Sequence, residues 1–334
     1  MKQIETKKDV ISFGIFNEVV YQTTNHNIVI ENKEIPFNQK AYFLKFDNKI
    51  FIDDKEGNYI IINDKIEILE SGFGKAFFFL SKNVIGIQKI VENGILSLLS
   101  KNGFNHFFEI LNLKSHGIYS IYSDNKFIYK NSNQEISILN LETKNNSIFH
   151  LKNLNKIEEQ EEYQLSEFSE IYKNTLVCTL NNGGIILYDI EKCELIRFFK
   201  DAKIRRNIYP KSEGSNIYYG LSHCTFIELD LESNKVIRNV DIETNLKKIG
   251  NISKQTKNWI FVSLAQYYDS LFYFYTSKNS LCVFDPNTLE IEQEFNFEFK
   301  NGSTKLRGGL ENFQINKNNI YCLDSDNTLH IIKR

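Results

Sequence analysis

The sequence is short of the features that most often announce chemistry. Its cysteines, Cys178, Cys193, Cys224, Cys282 and Cys322, form no C-x-x-C pair, are odd in number and mostly sit inside apolar runs. Such cysteines are expected as reduced core thiols of a cytosolic protein, not as a redox or zinc set. Basic residues are not in excess: 40 Lys and Arg face 42 Asp and Glu, a net charge of −2. A general nucleic-acid or membrane-surface binder needs a clear basic surplus, so neither partner is expected. The opening "MKQIETKKDV" lacks the apolar stretch of a signal peptide. No window approaches the ~18 continuous apolar residues of a membrane span. The expected location is the cytoplasm. Pro (3) and Met (1) are scarce while Lys, Asn, Ile, Phe and Tyr abound. That bias follows A/T-rich codons and points to a bacterial source.

Catalytic signatures are also missing. The histidines, His26, His106, His116, His150, His223 and His330, form no H-x-H or H-E-x-x-H. No G-x-S-x-G occurs. "SGFGKAF" (71–77) holds only part of a phosphate loop and leads into a strand rather than a helix. "DDKEGN" (53–58) lacks the alternating ligands of a Ca²⁺ loop and reads as a hairpin turn. The run Glu158 to Glu162 reads as a solvated face, not as paired glycosidase carboxylates. No catalytic residue, cofactor or metal is therefore expected.

What is present is a repeat. "NTLVCTLNNGGIILYDIEKCELIRFF" (174–199) lies over "SNIYYGLSHCTFIELDLESNKVIRNV" (215–240) and "DSLFYFYTSKNSLCVFDPNTLEIEQEF" (269–295). Each reads as three short strands rich in β-branched and aromatic residues, separated by polar turns. Asp189, Asp230 and Asp285 begin the second turn, where a short carboxylate can accept backbone N–H bonds two residues on. A fourth apolar run precedes each unit, as in "KAYFLKF" (40–46), "KAFFFL" (75–80), "GIYSIYS" (117–123), "SEFSEIY" (166–172) and "WIFVSLA" (259–265). Four strands per unit, at this spacing, match the blade of a β-propeller. Packing between neighbours explains strands that are apolar on both faces. Eight units are counted, with seven as the alternative. The last lacks its third run, and the N-terminal segment, Gln3 to Thr6 or Val10 to Phe16, is expected to supply the missing edge and close the ring. The whole chain, 1–334, reads as a single all-β domain.

The turns "LYDIEKCELI", "ELDLESNKVI" and "VFDPNTLEIE" resemble the repeats of quinoprotein-like and WD-type propellers, over nearly the whole chain. The Trp-Asp and Gly-His signatures of WD repeats are absent, and Trp259 is the only Trp. The resemblance thus implies the architecture and not a quinone cofactor.

In such an architecture the second-to-third turn of each blade and the links between blades share one face. Four links are long: 151–164, 200–214, 241–258 and 299–309. Long loops on a rigid scaffold are where binding residues concentrate. They carry Glu158, Glu159, Glu161 and Glu162; then Lys203, Arg205, Arg206 and Tyr209; then Lys247 and Lys248; then Lys305 and Arg307. A rim of mixed charge suits a charge-complementary protein partner, and Arg and Tyr dominate interface hot spots. The expectation is a non-catalytic protein-binding propeller, in its most specific form an immunity protein that neutralises a toxin effector. The alternative is a lactonase-like or glycan-acting propeller that uses the central channel.

Overall fold

In the computed structural model the strands of the described residues form eight four-stranded antiparallel sheets. Side chains are described for residues 1–16, 18–24, 26–30, 33–37, 126–130, 132–140, 142–154, 163–169, 171–206, 208–246, 262, 264–276, 279–297 and 309–334; the remaining strand residues and the end of the α-helix at 243–248 are described by backbone alone. Strand β1 (Lys2–Lys7) comes first in the chain. Sheet 1 follows as β2 (Ser12–Phe16), β3 (Val19–Thr23), β4 (Asn27–Ile30) and β5 (Lys33–Pro36). Sheet 2 is β6 (Tyr42–Phe46), β7 (Lys49–Asp53), β8 (Asn58–Ile62) and β9 (Lys65–Ile68). Sheet 3 is β10 (Phe77–Ser81), β11 (Val84–Val91), β12 (Gly94–Ser100) and β13 (Phe108–Leu113). Sheet 4 is β14 (Ser120–Ser123), β15 (Lys126–Ser132), β16 (Glu135–Asn140) and β17 (Asn146–His150). Sheet 5 is β18 (Leu165–Tyr172), β19 (Thr175–Leu180), β20 (Ile185–Asp189) and β21 (Glu194–Phe199). Sheet 6 is β22 (Ile208–Pro210), β23 (Ile217–Ser222), β24 (Thr225–Asp230) and β25 (Lys235–Asp241), and a short helix, α1 (Glu243–Lys248), follows it. Sheet 7 is β26 (Val262–Tyr268), β27 (Leu271–Thr276), β28 (Ser280–Asp285) and β29 (Glu290–Asn296). Sheet 8 is β30 (Leu310–Ile315), β31 (Asn319–Asp324) and β32 (Leu329–Lys333), completed by β1, which pairs antiparallel with β32.

In sheets 1 to 7 the strands are neighbours in chain order, so short turns suffice to join them; in sheet 8 this holds for β30 to β32, and β1 joins from the start of the sequence. The expected turn chemistry is present. Asp189 Oδ1 accepts the N–H groups of Glu191 and Lys192, both at 2.9 Å. Asp230 Oδ1 accepts that of Glu232 at 2.9 Å, and Asp285 Oδ1 that of Asn287 at 2.7 Å. Asn140 does the same for Glu142 at 3.0 Å. Four residues after each of these, Lys144, Cys193, Asn234 and Leu289 adopt left-handed backbone, with φ between 53° and 63°. No glycine marks those positions.

The chain divides into two compact units, one of Met1–Asp124 with Gly309–Arg334 and one of Asn125–Gly308. In the second unit the middle strands are buried nearly end to end: β19, β23, β24, β27 and β28 each bury five residues. The fourth strands alternate instead, as β25 does from Lys235 to Asp241. A middle strand is covered on both faces by neighbouring sheets, whereas a fourth strand covers only one. Sheets 6 and 7 meet in a cluster that includes Tyr219, Leu221, Phe226, Ile242, Leu246, Phe272 and Phe284. Burial of each such large side chain stabilises by about 1.5–3 kcal/mol. In the first unit, Val10, Phe13, Tyr321, Leu323, Leu329 and Ile331 form a corresponding core between sheets 8 and 1.

Two details sharpen the sequence reading. The Gln3–Thr6 segment falls within β1, while Ser12–Phe16 opens sheet 1. The stretch 200–214, read as a single link, contains β22, so only 200–207 joins sheet 5 to sheet 6. Residues 211–216 are the first turn of sheet 6, at its opposite end.

Candidate interaction surface

Successive turns of an antiparallel sheet alternate between its two ends, so the second-to-third turn and the exit of the fourth strand share an end. A recurring contact ties them together. Phe37, Leu151, Ile242 and Phe297 each directly follow a fourth strand, and each is buried. Each donates its N–H to a carbonyl of the second-to-third turn of its own sheet: His26, Gln134, Cys224 and Asn279, at 2.8, 2.8, 2.8 and 3.0 Å. The apolar side chain anchors the chain in the core while its amide bonds the turn.

Sheet 5 departs from this plan. Its anchor is Ile204, five residues past the end of β21, donating to the Gly183 carbonyl at 2.9 Å. The extra residues form a short link in which Ala202 and Ile204 are buried while Lys203, Arg205 and Arg206 are exposed. Thr179 Oγ1 donates to the Arg205 carbonyl at 2.8 Å, a second fixing point. Gly183 has φ +92°, and a Cβ built there would lie 2.8 Å from Lys203 Cα. Only glycine permits the link to lie this close to the turn. Three cations are thus displayed on a backbone held at two places, Ile204 and Arg205.

These cations have no ionic partner among the described residues. The Lys and Arg pairs formed there join Lys126 with Glu191, Lys173 with Glu232, Lys192 with Asp189 and Glu194, and Arg238 with Glu228. His223, in the second-to-third turn of sheet 6, adds to the same surface. Its carbonyl accepts the Val262 N–H at 2.9 Å, and its backbone is left-handed, with φ 53°. Burial of the imidazole, and then the positive charge of Arg205, hold its pKa below the usual histidine value. The turn therefore sets an imidazole of weakened proton affinity beside the permanent charge of Arg205.

The other expected residues fall in several places. Tyr209 stands on β22 rather than in a loop. Its hydroxyl donates to the Ala265 carbonyl at 2.7 Å, and its ring stacks on Tyr267 with centroids 6.4 Å apart. Burial raises its pKa above the ordinary phenol value. It joins sheet 6 to sheet 7 and turns little of itself to solvent. Lys247 and Lys248 end α1, and their side chains lie outside the described residues. Glu158, Glu159, Glu161, Glu162, Lys305 and Arg307 also lie outside the described residues. Thr179 and Gly183 were not among the expected contributors to the surface. The paired glycines after Asn181 and Asn182 were the one sequence sign of the close approach.

Known structures with the same arrangement align over nearly the whole chain. They include the computationally designed protein Ika8, with a TM-score of 0.66 and 11% identity over 99% of this chain and 98% of that one. BamB from Moraxella catarrhalis gives 0.60 and 9% identity over 99% of each chain. Sqt1 from Saccharomyces cerevisiae gives 0.60 and 8% identity over 100% of this chain and 99% of that one. BamB is a β-propeller and Sqt1 a WD40 protein. This chain has the β-propeller fold. The quinoprotein-like and WD-like character of the turns agrees with it. Comparison with protein-family models gives no match, and comparison with curated proteins gives none either. At these identities the neighbours establish the propeller architecture, and function has to be argued from the site.

Proposed function

We propose that this propeller is a non-catalytic protein-binding scaffold whose partner presents acidic groups to Lys203, Arg205 and Arg206. One observation carries the reading: exposed cations without ionic partners among the described residues sit on a link whose backbone is fixed at Ile204, against the Gly183 carbonyl, and at Arg205, against Thr179. A preorganised loop loses little entropy on binding, and unpaired like charges steer an oppositely charged partner into register. In its specific form the partner is a toxin that the protein neutralises as an immunity protein in the cytoplasm. The lack of catalytic motifs and the A/T-rich composition support that form.

The test is co-expression and pull-down with the product of the adjacent gene. A stable complex is expected, with affinity that falls as salt is raised. The double variant Arg205→Glu, Arg206→Glu should weaken it by about tenfold or more, mainly through the association rate. Failure to form a complex would remove the toxin reading. A complex indifferent to the double variant would remove the surface.

A further inference from the structure

Strand β1 is fastened differently from every other fourth strand whose side chains are described. Five of its six residues are exposed, and even Ile4 leaves 53% of its surface in solvent. The ladder to β32 pairs Lys2 with Lys333, Gln3 with Ile332, Glu5 with Ile331, Thr6 with His330 and Lys7 with Leu329, with a register shift between Gln3 and Glu5. Gln3 Oε1 lies 3.1 Å from His330 Nδ1, and His330 is itself held by Asp324 at 2.7 Å. Backbone hydrogen bonds therefore dominate the attachment, and they do not depend on which copy of the sequence supplies them.

The hinge is sharply defined. Val10 is 1% exposed and donates its N–H to the Asn327 carbonyl at 2.9 Å, so the chain is fixed from that point on. Between the anchor and the strand stand only Lys8 and Asp9, both exposed. Asp9 is left-handed, with φ 60°, a conformation that costs a non-glycine residue free energy. Extending the hinge relieves that strain. Short, strained hinges favour exchange of the element they carry, because the exchanged form regains every native contact and loses only the strained turn.

We propose that β1 is an exchangeable strand: the edge of β32 accepts Lys2–Lys7 from a second copy of this chain, giving a reciprocal dimer hinged at Asp9. At low concentration each copy keeps its own strand, since the intramolecular ladder wins by effective concentration. At high concentration the two arrangements compete.

Lys2 and Lys333 are directly paired and exposed, so Lys2→Cys with Lys333→Cys reports which copy supplies the strand. In a Cys193→Ser background, the protein is equilibrated at low and high concentration, then oxidised and run on a non-reducing gel. An exchanged pair gives a covalent dimer, and a closed monomer gives a monomer with an internal bond. The dimer band should rise with concentration. Asp9→Pro, which forbids the left-handed hinge, should raise it several-fold. Asp9→Gly, which removes the strain, should lower it. Oxidised protein that stays monomeric at every concentration would overturn the proposal, as would a folded Asp9→Pro variant with an unchanged dimer fraction.

Discussion

The two ends of the sheets in the second unit differ in how they treat charge. At the end made by the first and third turns, neighbouring sheets neutralise each other. Lys126 bonds Glu191 at 2.6 Å and also reaches the Ile190 carbonyl at 2.9 Å, joining sheet 4 to sheet 5. Lys173 bonds Glu232 at 2.6 Å and Tyr172 donates to the same carboxylate at 3.0 Å, joining sheet 5 to sheet 6. At the other end Lys203, Arg205 and Arg206 form no such pair among the described residues. The same chemistry is used inwardly at one end and left available at the other. The comparison separates charge that holds sheets together from charge that can recognise something else.

The largest effect expected on this contrast comes from the anchor. Ile204→Ala removes a fully buried side chain and frees the link, at about 2–4 kcal/mol in urea unfolding. It should also weaken partner binding although no cation is touched. Gly183→Ala comes next. Its Cβ meets backbone rather than a movable side chain, and its φ is positive, so a loss of about 1–3 kcal/mol is expected. Arg205→Glu with Arg206→Glu should do the reverse of both: stability within about 0.5 kcal/mol of the parent and binding weakened by about tenfold or more. A double variant that unfolds the protein would show that these arginines are structural after all.

Two pH tests compare the ends directly. Glu232 is held below the ordinary carboxylate value by its hydrogen bonds from Lys173 and Tyr172. The stability it contributes is present above the unfolded carboxylate pKa and is lost as pH falls through the lower folded value. Glu232→Gln should flatten the acid limb of the stability curve slightly. His223, lowered from 6.5, likewise gives stability that is complete above that value and lost as pH falls towards its folded pKa. Asparagine tolerates the left-handed backbone at that position, so His223→Asn should remove this slope while leaving the turn intact. Chemical unfolding across pH 5 to 7, with about half-unit steps, reads the histidine effect around its model-peptide range.

How far the sequence could be read depends on the range of the interaction concerned. The carboxylates of Asp189, Asp230 and Asp285 bond amides two residues away, so their role was visible in a few consecutive letters. Strand β22 has only three residues inside a polar stretch, too short for periodicity, and for that reason Tyr209 looked like a loop residue. The left-handed positions at Lys144, Cys193, Asn234 and Leu289 carry no common residue type, so only the backbone shows them.

By itself the sequence determined the strands, their four-fold grouping and the turn chemistry, because alternation of side chains and short hydrogen bonds act between near neighbours. Tertiary structure alone decided which charges are spent. Lys173 and Arg205 are both cations close to strand ends, and nothing local tells them apart. A carboxylate from the next sheet stands 2.6 Å from Lys173, and no described carboxylate pairs with Arg205, because packing of separate sheets sets those distances.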